Sequence, residues 1–203
     1  NAQISDNYNG TFEFPVPNTL GTYTLEVRVQ DFGDLSSEIA AQSFDVIEIT
    51  GTFRYWRFTS DPNSTGGVQF QGVNEVRLYT GSGQTGTKWP TASMTANNVP
   101  APFVASSRYN AAGANYNPHE AFDNNIGSGW IDSFSGSLPG MYLQIDLGSS
   151  VNIKSFSFRA GILTSFTPAA FGIYGSDTGA FAGEETLVAT MTGMPNTGEG
   201  YLG

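Results

Sequence analysis

The segment NPHEAFDNNIGSGW, residues 117–130, holds the chain's single histidine, His119, with Glu120, Asp123, three asparagines, Ser128 and Trp130. Three chemistries compete for it. His119, Glu120 and Asp123 could form an acid–base group, but a triad needs a positioned nucleophile and an orienting partner. The sequence shows neither a nucleophile elbow nor a zinc-type histidine pair, so no catalytic residue is assigned and the expectation is a non-enzyme. A second reading is a calcium loop. Calcium takes six to eight oxygens at ~2.3–2.6 Å, and a tight turn carrying Asp123, Asn125 and Ser128 can point several oxygens inward. The third is an Asx turn, in which Asp123 caps backbone amides and no ion is involved.

Sugar binding would draw on other residues nearby. It needs an aromatic ring for the apolar face of the sugar and polar groups for its hydroxyls. Arg108, Tyr109, Tyr116 and His119 in SSRYNAAGANYNPH supply both, with Phe166 and Trp89 as further candidates. The competing reading is packing, because most aromatics in a β-sandwich are core. His119 alone reads more readily as a loop anchor than as a ligand.

The bulk composition narrows the partners. Among 203 residues, 18 acids face 8 bases, a net charge of −10. Nucleic acid and anionic membranes call for clustered Lys and Arg, so neither is an expected partner. Charged residues make up only 13%, about half the usual ~25%, so the surface is built from Ser, Thr, Asn, Gln and Gly. There is no cysteine, which excludes thiolate metal sites and disulfides. No apolar run reaches the ~18 residues of a membrane helix. The first residue is Asn1, and the chain reads as an interior piece of something longer.

The elements that must position these residues read as β throughout. TYTLEVRVQ, residues 22–30, alternates strictly, as a half-buried antiparallel strand does. TFEFPVP before it and QSFDVIEIT after it read as strands too. The pattern resets near residue 50. FRYWRFTS (53–60), VNEVRLYTG (73–81), MYLQIDLG (141–148), AFGIYGSD and TLVATMTG are further short strands. VNIKSFSFRA (151–160) changes parity at Phe156, which predicts a bulge or a strand break. Residues 81–118 read as an unusually long irregular connection. Many short strands predict a sandwich or jelly roll.

EAFDNNIGSGW, followed by YLQIDLGSSVNIKSFSFR and FGIYGSDTGAF, resembles the discoidin, or coagulation-factor type C, family of galactose-binding-like β-sandwiches. Matching positions are Ala121, Phe122, Asp123, Asn125, Ser128, Trp130, Leu143 to Gly148, Arg159 and Ser176–Asp177. Asn124 stands where the family has glycine, and Asn tolerates a left-handed backbone best after glycine. YWRFTSD and VNEVRLYTG resemble the family's closing strand pair, yet they precede the hallmark loop. That order resembles the permuted arrangement of phage tail and virion-appendage proteins. GTYTLEVRVQD, with Tyr23, resembles the late strands of immunoglobulin-like modules.

The resemblance implies an all-β chain: a partial immunoglobulin-like β element at 1–50 and a discoidin-like jelly-roll β-sandwich at 51–203. It implies a structural calcium held by Asp123, by backbone oxygens at Glu120 and Asn125, by Ser128, and by Glu75 with the Asn74 carbonyl beside it. It implies a non-catalytic module on a virion or extracellular surface, contacting cell-surface glycan or neighbouring subunits, as part of a homo-oligomer. Two alternatives stand beside it. One is a carbohydrate-binding module of a secreted glycoside hydrolase, and the other is a purely structural spacer or decoration domain.

Overall fold

The structure, a computed structural model, describes residues 21–27, 40–46, 51–60, 70–107, 116–133, 141–160, 170–192 and 199–202. The chain divides into two compact units, Asn1–Val46 and Ile47–Gly203. In the first, β1 (Gly21–Val27) and β2 (Ala40–Val46) form an antiparallel ladder running from Gly21↔Val46 to Val27↔Ala40. The strand expected over TFEFPVP lies outside the described residues.

The second unit contributes β3 (Gly51–Ser60), β4 (Phe70–Tyr79), β5 (Lys88–Trp89), β6 (Val104–Ser107), β7 (Trp130–Ser133), β8 (Tyr142–Ile153), β9 (Ser155–Ala160), β10 (Ala170–Ser176), β11 (Thr186–Thr192) and β12 (Glu199–Leu202). These strands form two sheets. The first has the order β11-β10-β3-β8-β6; the second has the order β12-β9-β4-β5, with β7 also paired to β4. Every pairing is antiparallel. The chain is all-β, and its only helical pieces among the described residues are short 3-10 turns at Ser82–Gln84 and Pro118–Phe122.

Alternation explains the core. On β3, Trp56 and Phe58 are fully buried while Arg57 and Thr59 face outward; on β8, Leu143 and Ile145 are buried between Tyr142 and Gln144. Successive side chains of a strand point to opposite faces, so one face of each sheet is apolar and must be covered. The two apolar faces meet. Trp56 lies 5.4 Å from Phe156, and Phe58 lies 5.4 Å from Phe158, ring centre to ring centre and edge to face.

The parity change in VNIKSFSFRA is a strand break rather than a bulge. Val151 and Ile153 face the core from β8, which pairs with β3, and Phe156 and Phe158 face it from β9, which pairs with β4. Lys154 belongs to neither strand, and its amide donates to the Tyr79 carbonyl at 2.8 Å. The chain crosses there from one sheet to the other, and the inward-facing set must change parity to stay inward. The described part of the 81–118 connection, residues 81–107 and 116–118, is less irregular than expected. It contains β5 and β6, and Met94 and Phe103 are buried in the core.

Phe156 touches Trp56, Phe58 and Phe158, so deleting its ring leaves a cavity that both sheets share. Phe156→Ala should lower unfolding free energy by about 3–5 kcal/mol. Denaturant titration checks this; a loss below about 1 kcal/mol would mean that the seam between the sheets is not closely packed.

Candidate functional site

Strand β4 prepares the site. Its pairing with β9 shifts register between Val73 and Glu75, leaving Asn74 as the extra residue of a bulge. A bulge re-aims the side chains that follow it. Here Val73, Asn74, Glu75 and Val76 are all buried in succession, which a regular strand with one wet face would not give. On the opposite edge, β4 pairs with β7 at Phe70–Val73 and with β5 at Leu78–Tyr79. Between these, Asn74 to Arg77 have no strand neighbour on that edge among the described residues.

The 117–130 segment comes against this stretch. Ala121 and Phe122 at one end and Trp130 at the other are buried in the core, while Asn124 to Gly127 are exposed. The Asn74 amide donates to the Ile126 carbonyl at 2.8 Å. A Cβ at Gly129 would sit 2.7 Å from the Asn74 Cα, so only glycine lets the segment approach the strand this closely. Asn124 adopts φ +61°, the left-handed conformation that glycine or asparagine supplies.

Within the turn, Asp123 organises its neighbours. Its Oδ1 accepts from the Asn125 amide at 2.7 Å and its Oδ2 from the Ser128 hydroxyl at 2.6 Å. The Asn125 Oδ1 accepts from the Gly127 amide at 3.0 Å. Asp123 thus makes the hydrogen bonds of an Asx turn, which neither requires nor excludes an ion. The turn does not account for Glu75, which is 2% exposed and whose Oε2 has no hydrogen-bond partner. The Asn124 amide donates to the Glu75 carboxylate, and Arg77 Nε stands 3.7 Å from its Oε1. Burial is the largest influence on this carboxyl and pushes it up to about 7; Arg77 opposes the rise and the nearby Asp123 charge adds to it.

Of the residues expected in a metal site, the structure brings together Asp123, Asn125, Ser128, Asn74 and Glu75. Glu120 sits in the 3-10 turn, where its Oε1 is 3.5 Å from the Asn117 side-chain amide. The fit to a divalent cation rests on donor chemistry: two carboxylates, carbonyls and a hydroxyl, with one buried carboxylate oxygen unsatisfied. No cluster of three or more His, Cys, Asp or Glu gathers among the described residues. A cation here would thus rest on Asp123 and Glu75 plus neutral oxygens.

The expected sugar contacts are placed unevenly. Arg108, Tyr109 and Phe166 lie outside the described residues. Tyr116 is half-buried, and its carbonyl accepts from the Ile131 amide at 3.5 Å. His119 ties its segment to Asn97, whose Oδ1 lies 3.1 Å from the His119 amide and 3.0 Å from its Nδ1. Trp89 packs edge-on against Phe103 at 5.9 Å, at the rim of the core.

Compared with protein-family profiles, with curated proteins and with solved structures, the chain matches none. The site therefore has to be read from its own geometry.

Sequence reasoning misses the residues that clamp the turn from the long connection. The Asn124 side chain donates to the Ser93 hydroxyl at 2.7 Å and accepts from Lys88 Nζ, and Asn97 holds His119. No local signal marks them, because their role depends on how the connection folds back.

The Glu75 carboxyl gives a pH signature. Its folded value lies above the ordinary 4.5, so the unfolded chain loses this proton first. In chelator, stability should fall as pH rises from about 4.5 through about 7, by roughly 3 kcal/mol at most. Denaturant midpoints across that range should lose this component in Glu75→Gln. An unchanged slope in the variant would assign the pH dependence to other groups.

Proposed function

We propose that residues 51–203 are a discoidin-like module, non-catalytic and of the permuted kind, whose hallmark turn binds a structural calcium. The observation that carries this reading is the buried, unsatisfied Glu75 oxygen beside the Asp123 turn. A buried carboxylate oxygen with no partner is costly, and a coordinated cation removes the cost. The sequence spacing of Asp123, Asn125, Ser128 and Trp130 supports the same assignment. Calcium would join the 117–130 segment to β4 and stiffen the end of the sandwich that carries Tyr116 and His119.

The module serves a larger extracellular or virion-surface assembly, where it contacts cell-surface glycan or neighbouring subunits. The −10 net charge and the scarcity of Lys and Arg favour these partners over nucleic acid or anionic membrane. Among the described residues no helix is long and apolar enough to cross a membrane.

Calcium should raise the melting temperature and chelator should lower it, with the response lost in Asp123→Ala and in Glu75→Gln. Superimposable melting curves in calcium and in chelator would defeat the metal assignment. On a glycan array, saturable binding that drops about tenfold or more when Tyr116 becomes Ala would place glycan at these loops. Absence of binding to every glycan, with calcium present, favours the spacer reading instead.

A further inference from the structure

The outer face of the first sheet carries a second constellation, on different strands from the Asp123 turn. Register places Arg57 of β3 directly between Gln144 of β8 and Tyr174 of β10. Arg57 donates twice to the Gln144 Oε1, from Nε at 3.0 Å and from Nη2 at 2.8 Å. Its guanidinium lies between two rings, 4.0 Å from the centre of Tyr142 and 3.9 Å from that of Phe181. Both faces of the planar cation are thereby covered, while its Nη1 edge donates to no protein group among the described residues. A shallow cleft of about 200 Å³ opens beside it, lined by Arg57, Thr59, Tyr174, Phe181 and Glu185.

Phe181 is held there at a cost. It adopts φ +48°, a region where a bulky side chain is an outlier worth roughly 1–3 kcal/mol. Glu184 fixes this conformation: its Oε1 accepts from the Phe181 amide at 2.9 Å and from the Ser176 and Thr178 hydroxyls, each at 2.8 Å. Core packing does not require the strain, because Phe181 remains half-exposed above the sheet. Its effect is to set an aromatic ring on the arginine at the edge of the cleft.

We infer that this cleft binds a single neutral pyranose ring, stacked on Tyr174 and Phe181 and hydrogen-bonded through Arg57, Glu185 and Thr59. The chemistry selects the class. Aromatic walls suit the C–H face of a sugar, and paired donors and acceptors suit its hydroxyls. An apolar ligand would desolvate the Arg57 Nη1 edge and the Glu185 carboxylate without supplying either a new partner. An anionic ligand would meet the carboxylates of Glu184 and Glu185. The volume is below the ~300–1,000 Å³ of drug-sized sites and suits one small ring. The site goes beyond the proposed function, because it sits on the sheet face and needs neither calcium nor the loops around Tyr116 and His119.

The test is an amide and arginine Nε NMR titration of the 203-residue chain with methyl β-D-galactopyranoside, methyl β-D-glucopyranoside and methyl α-D-mannopyranoside, with N-acetylneuraminic acid as the anionic counterpart. At least one neutral glycoside should shift Arg57 Nε and the Tyr174 and Phe181 amides saturably, in the ~mM range. Tyr174→Ala and Glu185→Gln should each weaken that binding about tenfold or more. Should Tyr174→Ala fail to fold, Glu185→Gln decides alone, since it keeps the side chain's size. The inference is overturned by silence with all three glycosides, by binding that survives the variants, or by tighter binding of N-acetylneuraminic acid. Shifts confined to the region of Tyr116 and His119 also overturn it, while leaving the loop reading intact.

Discussion

Trp56 and Phe58 from one sheet interlock edge to face with Phe156 and Phe158 from the other. Each ring buries roughly 150–250 Å² of surface, the largest apolar contribution a single residue can make. Because a strand alternates, fixing these four residues inward fixes their neighbours outward. Arg57 is presented to solvent because Trp56 and Phe58 are not. In the same way Glu75 and Arg77 face away from the core because Val76 and Leu78 face into it. Both candidate sites are thus by-products of one packing constraint, read on opposite outer surfaces of the sandwich.

The two surfaces are finished differently. On the second sheet a bulge at Asn74 and a gap in strand pairing let an irregular segment lie against β4 and bury a carboxylate. Burial raises the energy of the ionised form, so the site is poised for a proton or a cation to relieve it. On the first sheet the pairing runs without a shift through Arg57, with bulges lying outside that row, near Arg54 in β3–β8 and near Val188 in β10–β11. The chemistry there comes from a cross-strand row, Gln144–Arg57–Tyr174, capped by a loop whose strain is offset by the hydrogen bonds to Glu184. One surface depends on a bulge and a gap beside β4, the other on a row of side chains in register across three strands.

Much of this was legible in the sequence where the signal is local. Alternation marked β1 and β8, short apolar runs marked β3 and β10, and the parity change at Phe156 marked the irregularity where the chain crosses at Lys154. The spacing from Asp123 to Trp130 marked a turn between core anchors, since a turn closes within a few residues. β5, β6, β7 and β12 were not legible. Two to four residues carry too little periodicity to distinguish a strand from a loop. Nor were the Lys88, Ser93 and Asn97 contacts, which require the connection to return across tens of residues. The Arg57 cleft was not legible: FRYWRFTS marked a strand and nothing more. Only topology brings Tyr142 and Phe181 to the two faces of the guanidinium.

β3 opens the second unit in sequence, yet it lies in the middle of its sheet, bonded to β8 along one side and β10 along the other. An edge strand under tension can be unzipped one hydrogen bond at a time. Gly51 to Phe53 are bonded to β8 alone, whereas from Tyr55 to Thr59 β3 is clamped on both sides, so a pull on Gly51 that frees the first residues then meets two ladders together. The chain therefore enters the sandwich through an inner strand, and a force applied from that side has to break hydrogen bonds on both of its edges before β3 comes free.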